Sequence, residues 1–348
     1  MPDFGTLARR SQGRFRDESP SVSPPARVPS ELRGRLHSHL LAPGYEQENL
    51  MPQLRGPAGA IDFFRSRGIQ WHKTSASGDN TATEGPTRNL ASSQVCCVNF
   101  LLPLANLPGP LESLLGALDT DAKRVLPITY PQDGGSLSSL VEFEWVGLTT
   151  PLEGDVPHVR GAKVTSVDAL ILADLQTGGR RAYLLEWKYV EAYSGEYLGD
   201  GRKGATRLRR YTGPYQTPSS PFRPEVPIRE WLYDPFYQIM RLFLLGQKMA
   251  DEGELGVTEA VVVVVCPEEN IAYRNRITST RLHARFADAT TVAEVVHRAI
   301  HDPSRFCLAS QDALLRAIAA SHGSELGHWI AYHRDRYGWG ADTRAPGG

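Results

Sequence analysis

The sequence predicts an α/β fold in which a mixed central sheet is flanked by helices, and three stretches carry that prediction. Residues 164–175 (VTSVDALILADL) and 180–190 (RRAYLLEWKYV) are apolar, β-rich runs. Gly178-Gly179 between them is a strong hairpin signal, because glycine takes the backbone angles of tight turns without steric cost. Residues 258–267 (TEAVVVVVCP) are continuously apolar, the pattern of a strand buried on both faces. Residues 231–253 (WLYDPFYQIMRLFLLGQKMADEG) supply a helix: Ile239, Met240, Phe243 and Leu244 make its apolar stripe, Pro235 suits its first turn, and Asp234 is its expected cap.

Taken in order, residues 1–56 are rich in Arg, Ser, Pro and Gly and read as a flexible arm. Its Arg9, Arg10, Arg14 and Arg16 are candidate nucleic-acid contacts, a disordered tail being the alternative. A short helix with Phe63 and Phe64 as anchors should begin near Ala60 and end at Gly68. A polar loop follows over 72–89. The next helix takes Ser92 or Ser93 as N-cap, Val95, Val98, Leu101 and Leu102 as its apolar positions, and Pro103 as its stop. Residues 111–119 make another short helix. In 137–147 (LSSLVEFEWVG) alternation predicts a strand with Val141, Phe143 and Trp145 on one face and Glu142 and Glu144 on the other. Beyond the 258–267 strand, Thr291 and Glu294 suggest a capping box, and two more helices (311–321 and 325–339) should pack on the sheet, with Trp329 and Tyr332 in the core. Residues 340–348 read as a frayed tail.

Composition narrows the function classes. With 348 residues, 41% hydrophobic and 22% charged, the chain is long enough for one large domain or two small ones. A net charge of −1 gives no global pull toward nucleic acid, so any such contact needs a local patch. No apolar run approaches a membrane span, and the first thirty residues lack a signal-peptide core, which makes cytoplasmic the default expectation. The four cysteines (Cys96, Cys97, Cys266, Cys307) show no metal-cluster spacing. His297 and His301 lie four apart on an expected helix but have no partner motif.

The chemistry concentrates on the hairpin. Alternate side chains of a strand share a face, so Glu186 and Lys188 point the same way, as do Ser166, Asp168, Leu170 and Leu172. Closing the hairpin brings Asp168 beside Glu186 and Lys188. Two carboxylates suit a hard divalent ion such as Mg²⁺, which keeps several waters. The ion lowers the pKa of a bound water and offsets phosphoryl charge, and an adjacent lysine can orient that water or donate to developing negative charge. Glu191 lies just beyond and is an accessory candidate, although strand parity points it away from Lys188. Arg202, Lys203, Arg207, Arg209 and Arg210 then form a basic run interleaved with Tyr193, Tyr197, Tyr211 and Tyr215; cations for phosphates and rings for stacking suggest nucleic-acid binding, with a solvated loop as the alternative. The Pro-rich residues 217–228 read as a surface loop that shapes a cleft.

Asp168, seventeen intervening residues and then Glu186-Trp187-Lys188 resemble the Asp…Glu-x-Lys signature of the PD-(D/E)XK nuclease superfamily, the restriction-endonuclease-like fold. The predicted order helix, strand, strand with Asp168, strand with Glu186 and Lys188, helix, buried strand is similar to that family's α-β-β-β-α-β core over about 90–267. The segment SSQVCCVNFLLPL, preceded by IQWHK, resembles a helix before the core sheet in a subgroup of bacterial restriction-endonuclease-like proteins, which draws attention to Gln94 and Asn99. A single nuclease-like domain is expected over 57–340, with its core over about 90–267 and C-terminal helices over 290–338. The resemblance implies metal ligation by Asp168, Glu186 and the Trp187 carbonyl, with Glu144 a further acid on the first core strand. It implies water activation by Lys188 and an accessory Gln238. Mg²⁺, with Mn²⁺ as a substitute, is the implied cofactor and DNA the implied partner. A homodimer, a catalytically silent nucleic-acid-binding member and a hydrolase of another phosphate substrate remain open.

Overall fold

The computed structural model describes residues 2–32, 34–72, 85–132, 135–149, 151–153, 160 and 164–340. Most of the expected polar loop (73–84) and all of the expected tail beyond Gly340 lie outside the described residues, as does Lys163. In chain order the elements are α1 (Phe4–Glu18), β1 (Ser30–Leu32), β2 (Arg35–His37), α2 (Ala60–Ser66), α3 (Ser93–Leu101), α4 (Pro108–Leu118), β3 (Ala122–Leu126), β4 (Ile128–Gln132), β5 (Gly135–Ser139), β6 (Glu142–Trp145), β7 (Val167–Leu175), β8 (Arg180–Trp187), α5 (Gly201–Tyr215), α6 (Phe236–Asp251), β9 (Glu259–Val265), α7 (Ile271–Arg274), α8 (Thr280–Arg285), α9 (Val292–Ala299), β10 (Phe306–Ala309), α10 (Gln311–His322) and α11 (Gly327–Tyr337).

The central sheet runs β10-β9-β8-β7, and the far edge of β7 is shared between β6 and β3. β7 and β8 are antiparallel, whereas β8, β9 and β10 are parallel, so the sheet is mixed. The hairpin turns through Gly178 and Gly179, both at positive φ (98° and 86°). Alternation sorts the strands onto two apolar layers. Ala169, Ile171, Tyr183, Leu185, Val261 and Val263 pack with α2, α3, α4, α10 and α11. Leu170, Leu172, Leu184, Ala260, Val262 and Val264 pack with α5, α6, α8 and α9. β9 contributes to both layers, as its unbroken apolar run requires. Asp168 and Glu186 have the parity of Leu170 and Leu184, so they belong to the α6 side.

Several expectations need correction. The N-terminal segment is packed rather than loosely held: Phe15, Ala8, Leu50 and Met51 are in the core. Gln12 donates to the Arg336 carbonyl (3.0 Å) and the Tyr189 hydroxyl (3.0 Å). Of its arginines, Arg16 is buried and bonded to Asp17, while Arg9, Arg10 and Arg14 stay exposed. Asp234 makes no cap hydrogen bond, because the cap position of α6 is Pro235. The basic run is a helix, α5, and neither a loop nor an extension of β8. Residues 137–147 split between β5, which pairs with β4, and β6, which joins the central sheet. Within 217–228, Phe222 and Val226 are buried in the α6-side core. The Thr291 hydroxyl caps α9, but the Glu294 carboxylate accepts from the Thr290 N–H (2.7 Å), one residue early for a reciprocal box.

Candidate active site

The site is built at the end of the hairpin opposite its glycine turn. The β7–β8 register pairs Ala169 with Leu185, which sets Asp168 opposite Glu186. The β6–β7 register pairs Phe143 with Ala169 and Trp145 with Val167, which sets Glu144 opposite Asp168. Three carboxylates therefore share one row across β6, β7 and β8.

Each member is held differently. Lys188 Nζ donates to Glu186 Oε1 at 2.6 Å, and both side chains are nearly buried. The Trp187 N–H donates to Asp168 Oδ2 at 2.6 Å. A strand residue turns its N–H and carbonyl to the same edge, so the Trp187 carbonyl faces the β7 side as well. The indole of Trp187 goes to the opposite layer, where Nε1 donates to Cys96 Sγ (3.2 Å) and the ring lies 5.0 Å from Phe100. The Lys188 backbone is pinned from two directions: its N–H donates to the Val265 carbonyl (2.8 Å), and Gln311 donates to its carbonyl (2.6 Å). These contacts fix the strand that presents Glu186 and Lys188.

Glu144 is buried and adopts φ 49°, a left-handed backbone rare outside glycine. The turn breaks the expected alternation: Phe143 packs with the α3 layer and Trp145 with the α6 layer. The carboxylate accepts from Gln94 Nε2 (2.9 Å) and the Ser166 hydroxyl (2.8 Å), with His72 Nε2 at 3.2 Å. Gln94 also accepts the His72 N–H (2.7 Å), so it orients the acid. Asn99 has a structural duty instead, bridging Met51 (2.8 Å) and Asn49 (3.0 Å). Glu142 is buried too, and Arg67 (2.7 Å) and Arg160 (3.0 Å) neutralise it. Both acids are therefore buried.

Crowding of like charge is visible in protonation. Burial, then Glu186 and Glu144, push the Asp168 carboxyl well above the usual carboxylate range, against the pull of Lys188 and the Trp187 N–H. Burial opposes the Lys188 charge, yet Glu186, with Tyr193, Tyr273 and Glu191 adding, outweighs it and the ammonium ends well above its ordinary value.

The remaining candidates divide. Gln238 is half-buried on α6, and its Oε1 accepts from the Tyr193 hydroxyl (3.2 Å). Glu191 accepts the Tyr189 N–H (2.6 Å) and sits on the loop after β8. Arg202, Lys203, Arg209 and Arg210 are exposed on α5, Arg207 is half-buried with Nη1 on the Leu198 carbonyl (2.7 Å), and the buried Tyr211 donates to Glu153 (2.8 Å). His297 bonds the Phe306 carbonyl (3.1 Å) and His301 lies beyond the end of α9.

Sequence reasoning missed three groups near the row. Asp234 precedes α6 with Oδ1 buried and unpartnered among the described residues; burial raises its pKa, opposed by Arg241 and Lys188. The Tyr273 hydroxyl is buried without a partner among the described residues. Arg241 lies one turn beyond Gln238. Gln238 and Arg241 are spaced i, i+3 on α6, a helical-face signal that was available in the sequence, whereas Asp234 precedes the helix.

Among the described residues, no three His, Cys, Asp or Glu side chains converge as a metal cluster. The oxygens on hand are those of Asp168 and Glu186 and the Trp187 carbonyl, while Glu144 is turned toward Gln94 and Ser166. Such a sparse, all-oxygen set fits a hard ion that keeps most of its waters, and does not fit a closed thiolate or imidazole site.

A family model described as "Restriction Endonuclease associating with ARP" matches residues 50–338. No curated protein and no solved structure matches.

Proposed function

The chain belongs to the family described as Restriction Endonuclease associating with ARP, and from that membership together with the acidic row we propose that it is a Mg²⁺-dependent nuclease that hydrolyses phosphodiester bonds of DNA. One observation carries the reading: Asp168 and Glu186 face each other across adjacent strands, with Lys188 on Glu186 at 2.6 Å. A surface ion pair would be exposed, whereas Glu186 and Lys188 are 8% and 7% exposed. Burying this much charge is costly unless the charge is used.

In this reading Asp168, Glu186 and the Trp187 carbonyl hold the ion. When bound, it supplies a water of lowered pKa and offsets negative charge on the phosphoryl oxygens. Lys188 carries its proton at neutral pH and donates toward the attacking water or the charge that develops in the transition state. The Trp187 N–H fixes the Asp168 rotamer, and Gln94 and Ser166 fix Glu144, so little reorganisation is left for the reaction step. Tyr193, on the loop after β8, is tied to Gln238 of α6 by its hydroxyl (3.2 Å).

The test is cleavage of linear, nicked and single-stranded DNA by the full chain with and without Mg²⁺, beside Asp168→Asn and Glu186→Gln. Metal-dependent cleavage that both variants lose supports the proposal. Salt-dependent DNA binding without cleavage by the wild type would instead mark a silent binding member, and cleavage unaffected by either variant would place the chemistry elsewhere.

A further inference from the structure

A cleft of about 490 Å³ opens between α5, α6 and the start of β7. Five cationic side chains line it (Arg202, Lys203, Arg207, Arg210 and Arg241) against one carboxylate, Glu153. That carboxylate is already used by neutral donors: Tyr211 (2.8 Å) and the Thr165 N–H (2.9 Å), with the Thr165 hydroxyl bonded to it as well. Among the described residues none of the five cations forms an ion pair. Clustering unpaired like charge is unfavourable in the absence of an anion, more so where water is partly excluded.

Arg241 is the telling member. Arg207 and Arg241 flank the same ring, that of Tyr237, at 5.4 and 4.9 Å. Arg241 Nη1 reaches only the Thr165 hydroxyl at 3.3 Å, and its Nε is buried with no partner among the described residues. A guanidinium whose Nε is buried and unbonded among the described residues, beside four more cations, suits an oxyanion, because the planar fork matches phosphate geometry. The cleft also shares parts with the acidic row. Thr165 precedes Ser166, which holds Glu144 (2.8 Å), and Arg241 lies one turn beyond Gln238 on α6.

We propose that this cleft is a phosphate subsite, with the half-buried Arg241 as its anchor, that grips the substrate strand beside the point of cleavage. The proposal rests on the nuclease reading for its substrate, not for its ligand chemistry. A backbone phosphodiester and a terminal phosphomonoester would both fit that chemistry. Arg209, outside the cleft, is not part of it.

The test measures DNA affinity of the full chain in Ca²⁺ at several salt concentrations, and pyrophosphate binding by calorimetry. Two variants are compared: Arg241→Gln, and the exposed pair Arg202→Ala with Arg210→Ala, which leaves the core untouched. Arg124→Ala, on β3 at the far end of the hairpin, is the control. Expected are losses of about tenfold or more in DNA affinity for each variant and a log–log salt slope lower by about one unit per lost contact. Pyrophosphate binding should weaken in parallel. If the loss vanishes on a 5′-hydroxyl duplex, the ligand is a terminal phosphate; if it persists on circular DNA, the ligand is a backbone phosphate. Wild-type cleavage with unchanged affinity and slope in both variants overturns the subsite and leaves the nuclease reading standing. Pyrophosphate binding that the variants lose, in a wild type that neither binds nor cleaves DNA, keeps the subsite and overturns the nuclease reading. A wild type that binds neither ligand overturns both.

Discussion

Replacing Lys188 by methionine separates its electrostatic role from its bulk. Its ammonium lies 2.6 Å from Glu186, with the two side chains 8% and 11% exposed. At that separation and an effective dielectric of about 20 the attraction is roughly 6 kcal/mol, before the desolvation of both ions is subtracted. Lys188→Met keeps the stem but strands Glu186 beside Asp168, and breaking a buried pair from one side costs about 3–5 kcal/mol. Lys188→Met with Glu186→Gln strands no charge, so its cost should fall to about 1 kcal/mol, leaving a coupling energy of at least about 2 kcal/mol. Urea unfolding of the wild type, both single variants and the double variant reads this directly. Turnover should respond differently from binding. Single-turnover cleavage by Lys188→Met should drop about 100-fold, the scale of one lost pre-organised donor, while DNA affinity in Ca²⁺ changes by less than about threefold. Lys188→Arg should not restore the rate, since a planar fork cannot replace a compact ammonium at close quarters. A Lys188→Met protein with the wild-type unfolding midpoint would refute the pairing argument. Equal losses of rate and affinity would make Lys188 a phosphate anchor instead.

Three further outcomes follow from the same geometry. Because Asp168 titrates well above its ordinary 3.8, the folded chain holds that proton more tightly than the unfolded one; its contribution to stability is full below the ordinary value and is lost as pH rises through the raised one. Asp168→Asn should therefore remove that decline and raise the melting temperature in EDTA at neutral pH, and a lower melting point there contradicts the charge-crowding argument. Glu144→Gly should be more stable to urea than Glu144→Ala by about 1 kcal/mol, since only glycine accepts φ 49° without cost, and equal midpoints would count against strain at this position. Arg336, buried and bonded to Gln12 (3.1 Å), the carbonyls of Asn49 (2.6 Å) and Leu90 (3.0 Å) and the Tyr332 hydroxyl (2.6 Å), ties the N-terminal segment to α11; Arg336→Met should lower stability by about 3 kcal/mol or more by leaving those acceptors unmet, and a wild-type midpoint would show that the segment needs no such tie.

How much of this was legible depends on how local the signal is. The Gly178-Gly179 turn, the β9 run and α6 are fixed by neighbours in sequence, and each stands where periodicity put it. The pairing of Asp168 with Glu186 follows from the hairpin alone. The N-terminal segment was not legible, because its order comes from partners far along the chain: Gln12 meets Arg336, 324 residues away. Composition sees only its Arg, Ser and Pro. β3 and β10 were missed for a related reason, as each is short and is made a strand by the edge it pairs with, β7 and β9 respectively. Cationic spacing in α5 was hidden by its Gly and Pro residues, yet Tyr211 and Tyr215 at i, i+4 mark its buried face.

Glu144 shows where local rules fail for a reason. Alternation across 141–145 put both acids on the face opposite Phe143 and Trp145, yet those two rings pack in opposite layers and both acids are buried. A left-handed residue inside a buried strand costs about 1–3 kcal/mol, and a third carboxylate opposite Asp168 adds repulsion. The φ serves the fold, because it sends Phe143 and Trp145 to opposite layers, but the third carboxylate does not. The turn also sets the Glu144 carboxylate against Gln94 and Ser166, at the end of the row that Asp168 and Glu186 continue. A fold optimised for stability alone would remove the charge. In the proposed nuclease the reason to keep it is the cation that would bind beside it, at the strand ends where Lys188 also sits.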